Sequence, residues 1–145
     1  MATALFAVNA PRIYRSTMAA PVAHKAAEKA LRKYALSFPE ATEEFPWGER
    51  VIKVRGKIFV FLGIVEDRLR LGMKLPISFE MALTLSYTAP SGYGLGRAGW
   101  ITAKFTARQK PDLDLLKSWI EQSYRAVAPK KLVVQLATPA LKAKA

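Results

Sequence analysis

The chain has 145 residues, of which 51% are hydrophobic and 23% charged, a composition typical of one globular domain. It contains no cysteine, which excludes disulfides, thiolate nucleophiles and cysteine-ligated metal centres and fits a reducing compartment. Basic residues outnumber acidic residues by 23 to 11, so the net charge of +12 favours polyanionic partners. No apolar run reaches the roughly 18 residues that a membrane helix needs. We therefore expect a cytoplasmic protein with no membrane partner.

Composition divides the chain into three parts. Residues 1–17 are predicted to be an N-terminal extension, with a transit peptide, a disordered segment and a true start at Met18 as the alternatives. Residues 18–137 are predicted to form a single domain, which holds 19 basic and 11 acidic residues and so carries a net charge of +8. Residues 138–145 are a basic, alanine-rich tail.

The predicted domain begins with a helix and continues into three strands. Apolar residues recur with helical spacing from Pro21 to Leu36, opposite a basic face, which predicts an amphipathic helix. Segment 37–49 is rich in proline and acids and is predicted to be a connecting loop. Two β-rich runs then flank Arg55 and Gly56, a pattern typical of a hairpin. Residues 67–75 have a period of two, with Leu69, Leu71, Met73 and Leu75 on one side and Arg68, Arg70 and Lys74 on the other, which indicates a strand with one buried face.

The second half of the domain adds a helix, a strand and a final helix. Pro76 ends the alternating strand, and a short helix is expected from Ser78 to about Tyr87. After a glycine-rich loop, residues 100–106 alternate as a strand, and residues 110–128 carry an apolar helical stripe. A further helical turn is expected after Pro129. The order α-β-β-β-α-β-α predicts an α+β two-layer sandwich, with a mainly antiparallel sheet and the helices on one face.

The glycine-rich loop contains a literal G-x-G-x-x-G at Gly94, Gly96 and Gly99. A dinucleotide fingerprint requires a strand before the glycines and a helix after them, and here the order is reversed. We therefore interpret the segment as a tight loop and predict no cofactor. A milder interpretation stays open, in which Tyr93 and Arg97 follow a phosphate backbone.

The sheet face opposite the helices is predicted to be basic. If the apolar residues of the strands face the helices, the alternate residues face solvent. This places six cations on the open face, with Trp100 exposed at one edge and no carboxylate among them: Lys53, Arg55, Arg68, Arg70, Lys74 and Lys104. Such a face is a candidate platform for nucleic acid. The alternative is an ordinary solvated sheet face.

Signs of other chemistry are weak. The single histidine, His24, is predicted to be solvated on the basic side of the first helix. Four glutamates in the predicted loop lack the spacing of a calcium site, and we expect solvated or capping roles, or pairing with the first helix: Glu40, Glu43, Glu44 and Glu49. We therefore predict neither an enzyme nor a metal site. The segment 55–62 partly matches an RNA-recognition pattern, but Lys57 replaces its aromatic, so Phe59 and Phe61 are predicted to be core residues.

Three segments resemble the MmcQ/YjbR family: LSFPEATEEFPWGERVIKVRGKIFVFL, the region from Tyr93 to Trp100, and SYRAVAPKKL. The resemblance spans residues 31–132 and implies a CyaY-like α+β sandwich and DNA binding, with no firm catalytic activity. The residues that match the family motifs are Lys53, Arg55, Lys57, Arg97 and Trp100. Four further cations, Arg68, Arg70, Lys74 and Lys104, are candidates from strand alternation alone.

These observations together predict a non-enzymatic protein that contacts the phosphate backbone of double-stranded DNA with little base readout. Its candidate contacts are the nine residues named with the family resemblance. The alternative is a module that docks an acidic protein or a small ligand on the same open face.

Overall fold

The computed structural model describes residues 23–136; the predicted N-terminal extension and basic tail lie outside the described residues. The described chain contains α1 (residues 23–36), α2 (Phe79–Ala82), α3 (Leu113–Val127) and α4 (residues 130–136). Its strands are β1 (Ala41–Glu44), β2 (Val51–Val54), β3 (Lys57–Val65), β4 (Arg68–Lys74), β5 (Thr88–Pro90) and β6 (Trp100–Phe105). A 3₁₀ helix, Leu95–Ala98, precedes β6. Within residues 23–136, no helix has both the length and the apolar character needed to cross a bilayer.

The six strands form one sheet in the order β1-β2-β3-β4-β6-β5, and every neighbouring pair is antiparallel. Helix α3 packs against β3 and β4, and together with the other helices it forms the second layer. The predicted α+β two-layer sandwich is therefore confirmed. Two short strands, β1 and β5, add to the predicted order, and α2 ends at Ala82 rather than near Tyr87.

The core lies between the sheet and the helices. In β4, Leu69, Leu71 and Met73 are fully buried, as the alternation predicts. They lie in register with core residues of β3 and β6, and the helices contribute the opposite wall of the core: Ala27, Leu31, Ala35, Leu116, Trp119, Ile120 and Leu132. Because this face of the sheet is apolar throughout, the alternate residues of the same strands point away from the helices.

Helix α3 begins where local sequence favours a helix start. The side chain of Asp112 accepts a hydrogen bond from the backbone N–H of Leu115 at 3.2 Å, which caps the first turn. Asp114 adds a second acid near the positive end of the helix dipole, and Arg125 lies in the last turn. The helix therefore has favourable charges at both ends.

Residues of the family motifs meet at one node of the core. The ring of Tyr124 stacks on Phe38 at 4.8 Å between centroids and meets Phe59 edge-on at 5.1 Å. Its hydroxyl donates to the carbonyl of Pro39 at 2.7 Å. The neighbouring Ser123 is fully buried and donates to the carbonyl of Phe59 at 2.6 Å. The motif segments FPE and SYR thus join the start of β1 to helix α3 and strand β3.

His24 is buried, so the prediction of a solvated side chain is wrong. Only 1% of the residue is exposed, and its ring nitrogens lie 3.3 Å from the carbonyl oxygens of Asp67 and Gln109. The β3–β4 turn and the loop after β6 close over the start of α1 at this point. His24 therefore connects α1 to two loops.

Candidate nucleic-acid interface

A groove of about 620 Å³ opens on the sheet face opposite the helices. Its floor is a row of three residues that lie in register across three strands: Phe61 on β3, Gly72 on β4 and Thr102 on β6. Gly72 has no side chain, so the floor is recessed at its middle. A Cβ at this position would lie 3.1 Å from the Phe61 ring. The hydroxyls of Ser91 and Thr102 hydrogen-bond to each other at 2.9 Å at one side. The residues of the floor are thus mainly apolar or small.

Two loops from opposite ends of the strands form the rims of this groove. The β1–β2 loop contributes Trp47, whose residue surface is 70% exposed. The β5–β6 loop contributes Tyr93, which is fully exposed, and Leu95. Tyr93 adopts φ +57°, in the left-handed region, and is followed by Gly94 at φ +80°. Each rim therefore presents an aromatic side chain to solvent.

Cations lie on both sides of the floor. Arg70 on β4 faces Lys104 on β6 in the row on one side, and Lys74 faces Trp100 in the row on the other. Arg68, the first residue of β4, extends the first side beyond Arg70. Within residues 23–136, none of the three cations Arg68, Lys74 and Lys104 forms an ion pair. Of the nine predicted site residues, Arg70 thus lines the groove, and Arg68, Lys74 and Lys104 lie on the same sheet face beside it.

Carboxylates interrupt the cationic set, contrary to the prediction. Glu49 lines the groove, with a carboxylate oxygen 3.7 Å from a guanidinium nitrogen of Arg70. At the other edge of the sheet, Lys53 donates to Glu44 at 2.9 Å, because β1 pairs with β2 and brings these side chains together. The predicted loop around these acids is partly strand, which explains the proximity.

Arg55 does not lie on the sheet face, so this part of the prediction is wrong. Arg55 and Gly56 both have positive φ, +52° and +81°, as a two-residue hairpin turn requires, and the turn carries the arginine beyond the sheet. There its guanidinium forms an ion pair with Glu40, which lowers the pKa of that carboxyl mainly through hydrogen bonding. Lys57 follows at the exposed start of β3.

The structure also corrects the position of Trp100, which was predicted to be exposed. Only 8% of its surface is accessible, because its ring packs edge-on against Phe61 with 5.6 Å between centroids. Trp100 therefore supports the floor of the groove instead of presenting a free face. Arg97 is exposed on the 3₁₀ helix and lines a neighbouring cavity with Pro76 and Glu80.

Most of the groove's aromatic lining does not follow from the sequence prediction. Phe59 is a core residue as predicted, but Phe61, predicted to be a core residue too, is half-buried on the open face. Trp47 has no predicted role, although a tryptophan between Pro46 and Gly48 in a polar segment is a signal of an exposed aromatic. Tyr93 is predicted only as a possible phosphate contact.

Glu43 lies on the helix side of the sheet and is bound by two arginines. Arg32 of α1 donates to both carboxylate oxygens at 2.7 and 2.8 Å, and Arg50 donates to one of them at 2.6 Å. The hydrogen bond from Arg32 is the main cause that lowers the pKa of Glu43 below its ordinary value. Arg50 also binds Glu28 at 2.5 Å. All four glutamates of the predicted loop thus face arginine or lysine. The expected pairing with the first helix occurs at Glu43, whereas the other three pair with residues of the sheet and its hairpin turn instead of capping a helix.

No cluster of three or more histidine, cysteine or acidic side chains suited to a metal occurs in residues 23–136. Each of the acids described above forms an ion pair with an arginine or a lysine.

Comparison with known proteins identifies the family. The YjbR family model matches residues 36–126, well over half of the chain. The chain belongs to the YjbR family. The resemblance noted in the sequence is therefore confirmed. A search of curated proteins gave no match.

A solved structure supports the YjbR assignment. The chain is similar to the crystal structure of Deinococcus radiodurans protein DR2400, described with the domain DUF419, at 28% sequence identity and a TM-score of 0.55. The similarity covers 66% of this chain and 74% of that one. The YjbR match contains all six strands, so the groove and both of its rims lie inside the family segment.

Proposed function

We propose that this YjbR-family protein is a cytoplasmic, non-enzymatic protein that binds nucleic acid through the open face of its sheet. The observation that carries the proposal is the placement of three cations on that face, Arg68, Lys74 and Lys104, without an ion-pair partner in residues 23–136. Unpaired basic side chains gain free energy by displacing counterions from phosphates. Their common face makes simultaneous contact with one backbone feasible.

The cations on β4 are spaced to follow an extended polyanion. Arg68, Arg70 and Lys74 occupy alternate positions on one face of the strand, and two residues of antiparallel strand advance about 6.8 Å. From Arg68 to Lys74 the cations therefore span about 20 Å. Contacts of this type fix a strand on the protein without reading its sequence, so we expect weak sequence preference.

The arrangement of acids and histidine supports a non-enzymatic role. General acid–base catalysis needs a titratable group that reaches a substrate. Glu43 is held by Arg32 and Arg50, and His24 is buried against two backbone carbonyls. The groove itself contains one carboxylate, Glu49, beside Arg70. A pair of carboxylates facing one cavity, as glycoside hydrolysis requires, is not present in the groove lining.

Two charge-matched double variants test the proposal. Arg68→Glu/Lys104→Glu reverses two charges on the groove side, and Lys29→Glu/Lys33→Glu reverses two exposed lysines of α1. Both change the net charge equally, so long-range attraction falls alike in both. We expect the groove variant to lose at least about tenfold in affinity and its salt slope on duplex DNA to fall by about 0.9 for each lost phosphate contact.

Fluorescence anisotropy with labelled duplex and single-stranded oligonucleotides, over a series of salt concentrations, measures both quantities. The α1 variant should retain most of the wild-type affinity and slope. Equal losses in the two variants would show that binding depends only on total charge and not on the open face. Wild-type binding by the groove variant would overturn the proposal.

The size of the groove favours a second candidate function. A volume of about 620 Å³ lies within the usual range of small-molecule sites, about 300–1,000 Å³. A small ligand, or a side chain of an acidic protein, would then occupy the same face. In that case the protein would retain its partner in a pull-down in the presence of excess DNA, whereas a nucleic-acid-binding protein would release it.

A further inference from the structure

The rims of the groove distinguish between forms of nucleic acid. Resting on the proposed function, we propose that the groove binds single-stranded nucleic acid, with bases stacked on Trp47 and Tyr93 and phosphates held by the flanking cations. Duplex DNA, the form expected from the sequence, would contact the flanking cations through its phosphates but would not stack on the two aromatic side chains.

Tyr93 is the most informative residue for this proposal. Its side chain is fully exposed and makes no ring contact or hydrogen bond with residues 23–136. Its backbone is left-handed at φ +57°, a conformation that non-glycine residues adopt at an energetic cost. The backbone conformation belongs to a hydrogen-bonded turn, in which the N–H of Leu95 donates to the carbonyl of Gly92 at 3.1 Å. The aromatic ring itself is not covered by packing within residues 23–136, and a ligand stacked on it accounts for this exposure.

Trp47 provides the second stacking surface, from the other end of the strands. It is 70% exposed and lines the groove together with Tyr93 and the floor residue Phe61. Trp100, in the neighbouring row, makes a T-shaped contact with the Phe61 ring and supports it from that side. Every base has a π face, so stacking on such side chains tolerates sequence. In a duplex these faces are already stacked on neighbouring bases and are not available.

The charges beside the floor match the backbone of a strand laid across it. Arg70 and Lys104 lie on one side of the floor and Lys74 on the other. The contact between Arg70 and Glu49, at 3.7 Å, is longer than a hydrogen bond, so the donors of the guanidinium stay available for a phosphate. Aromatic side chains combined with a cationic groove are the usual arrangement for single-stranded nucleic acid.

The test uses variants that remove the aromatic faces and preserve the fold. Asparagine tolerates the left-handed conformation, so Tyr93→Asn should melt at or above the wild-type temperature. Trp47→Ala removes the other face, and Ile77→Ala is a matched control because Ile77 is an exposed apolar residue outside the groove lining. Each variant is titrated with oligo(dT), with oligo(rU), with an abasic oligonucleotide of equal length and with a duplex.

We expect the wild type to bind oligo(dT) and oligo(rU) more tightly than the abasic strand. Tyr93→Asn and Trp47→Ala should each lose about 5- to 100-fold on the two base-containing strands, with little change on the abasic strand or the duplex. Fluorescence gives an independent signal, since Trp47 is the exposed tryptophan and Trp100 and Trp119 are buried. Base stacking should quench the Trp47 emission, and abasic DNA should not.

The outcomes separate this proposal from the proposed function. If Arg68→Glu/Lys104→Glu weakens binding of every strand but the aromatic variants bind like Ile77→Ala, phosphate binding stands and base stacking is overturned. If the wild type binds abasic and base-containing strands equally, stacking is also overturned. If the charge variant has no effect on any ligand, both proposals fail.

Discussion

Ser123 joins helix α3 to two strands, and its replacement by alanine gives a quantitative test of the fold. The hydroxyl is fully buried, donates to the carbonyl of Phe59 at 2.6 Å and accepts from the backbone N–H of Lys74 at 2.9 Å. Phe59 is the extra residue where the β2–β3 register shifts, since Ile52 pairs with Val60 and Lys53 pairs with Ile58. The serine thus satisfies a carbonyl at an irregularity of the sheet.

Ser123→Ala leaves two backbone groups without this partner. A buried group left unsatisfied costs about 1–3 kcal/mol, and the higher helix propensity of alanine returns a few tenths. We expect the free energy of unfolding to fall by about 2–4 kcal/mol. With a urea m-value of about 2 kcal/mol per M, typical of a small domain, the unfolding midpoint should fall by about 1–2 M.

Urea unfolding followed by circular dichroism measures this loss. Ser118→Ala is the matched control, because Ser118 lies on the same helix, is exposed, and donates only to the carbonyl of Leu115 at 2.6 Å. The control should unfold at or slightly above the wild-type midpoint, since alanine favours helix. Equal midpoints for the two variants would refute the assignment of Ser123 as the connection between helix and sheet.

Two further predictions concern buried or paired titratable residues. The hydrogen bond from Arg32 holds the pKa of Glu43 below its ordinary value, so in acid the unfolded chain binds more protons than the folded chain. The stability that Glu43 contributes is therefore lost as pH falls below the ordinary value of about 4.3. Glu43→Gln should therefore flatten the acid limb of stability against pH in urea titrations; parallel limbs would contradict this. His24→Phe keeps a ring but removes the ring N–H donation toward the carbonyls of Asp67 and Gln109, and should cost about 1–3 kcal/mol in thermal unfolding. An unchanged melting curve would show that packing alone holds this site.

Sequence alternation predicts a strand well when only one of its faces is apolar. In β4, Leu69 and Leu71 are buried and Arg68 and Arg70 face away from the core, as the pattern predicts. Strand β3 is different, because Phe61 lies between buried Val60 and Leu62 and the run is apolar on both faces. Periodicity alone therefore could not place Phe61 in the groove.

Contacts from distant segments override local preference at two other places. Strand β1, of sequence ATEE, has weak β propensity, yet it pairs with β2, and Glu43 binds Arg32 and Arg50 beneath it. His24 shares the spacing of the buried Ala27 and Leu31, so the helical stripe did carry a signal for its burial. The neighbouring lysines instead suggested that His24 lies on the basic face of the helix.

The candidate site was predictable in its charges but not in its shape. Strand alternation correctly placed Arg70, Lys74 and Lys104 on the open face. The aromatic rims come from loops at opposite ends of the sheet, and Trp47 and Tyr93 line one groove only because of the strand order and the loop conformations. Neither can be inferred from local sequence.

The segments that identify the family contain both residues of the scaffold and the two aromatic residues of the rims. Tyr124 and Ser123 bind backbone carbonyls in the core, and Arg55 is held by Glu40, whereas Tyr93 contributes no packing. Loss of stability and loss of binding should therefore be separable. Ser123→Ala should weaken the fold yet leave the affinity of the folded fraction unchanged, and Tyr93→Asn should do the reverse. If both variants changed both properties, the Tyr93 loop would be part of the cooperative core, and the weaker binding of Tyr93→Asn would then follow from a damaged fold rather than from a lost stacking contact.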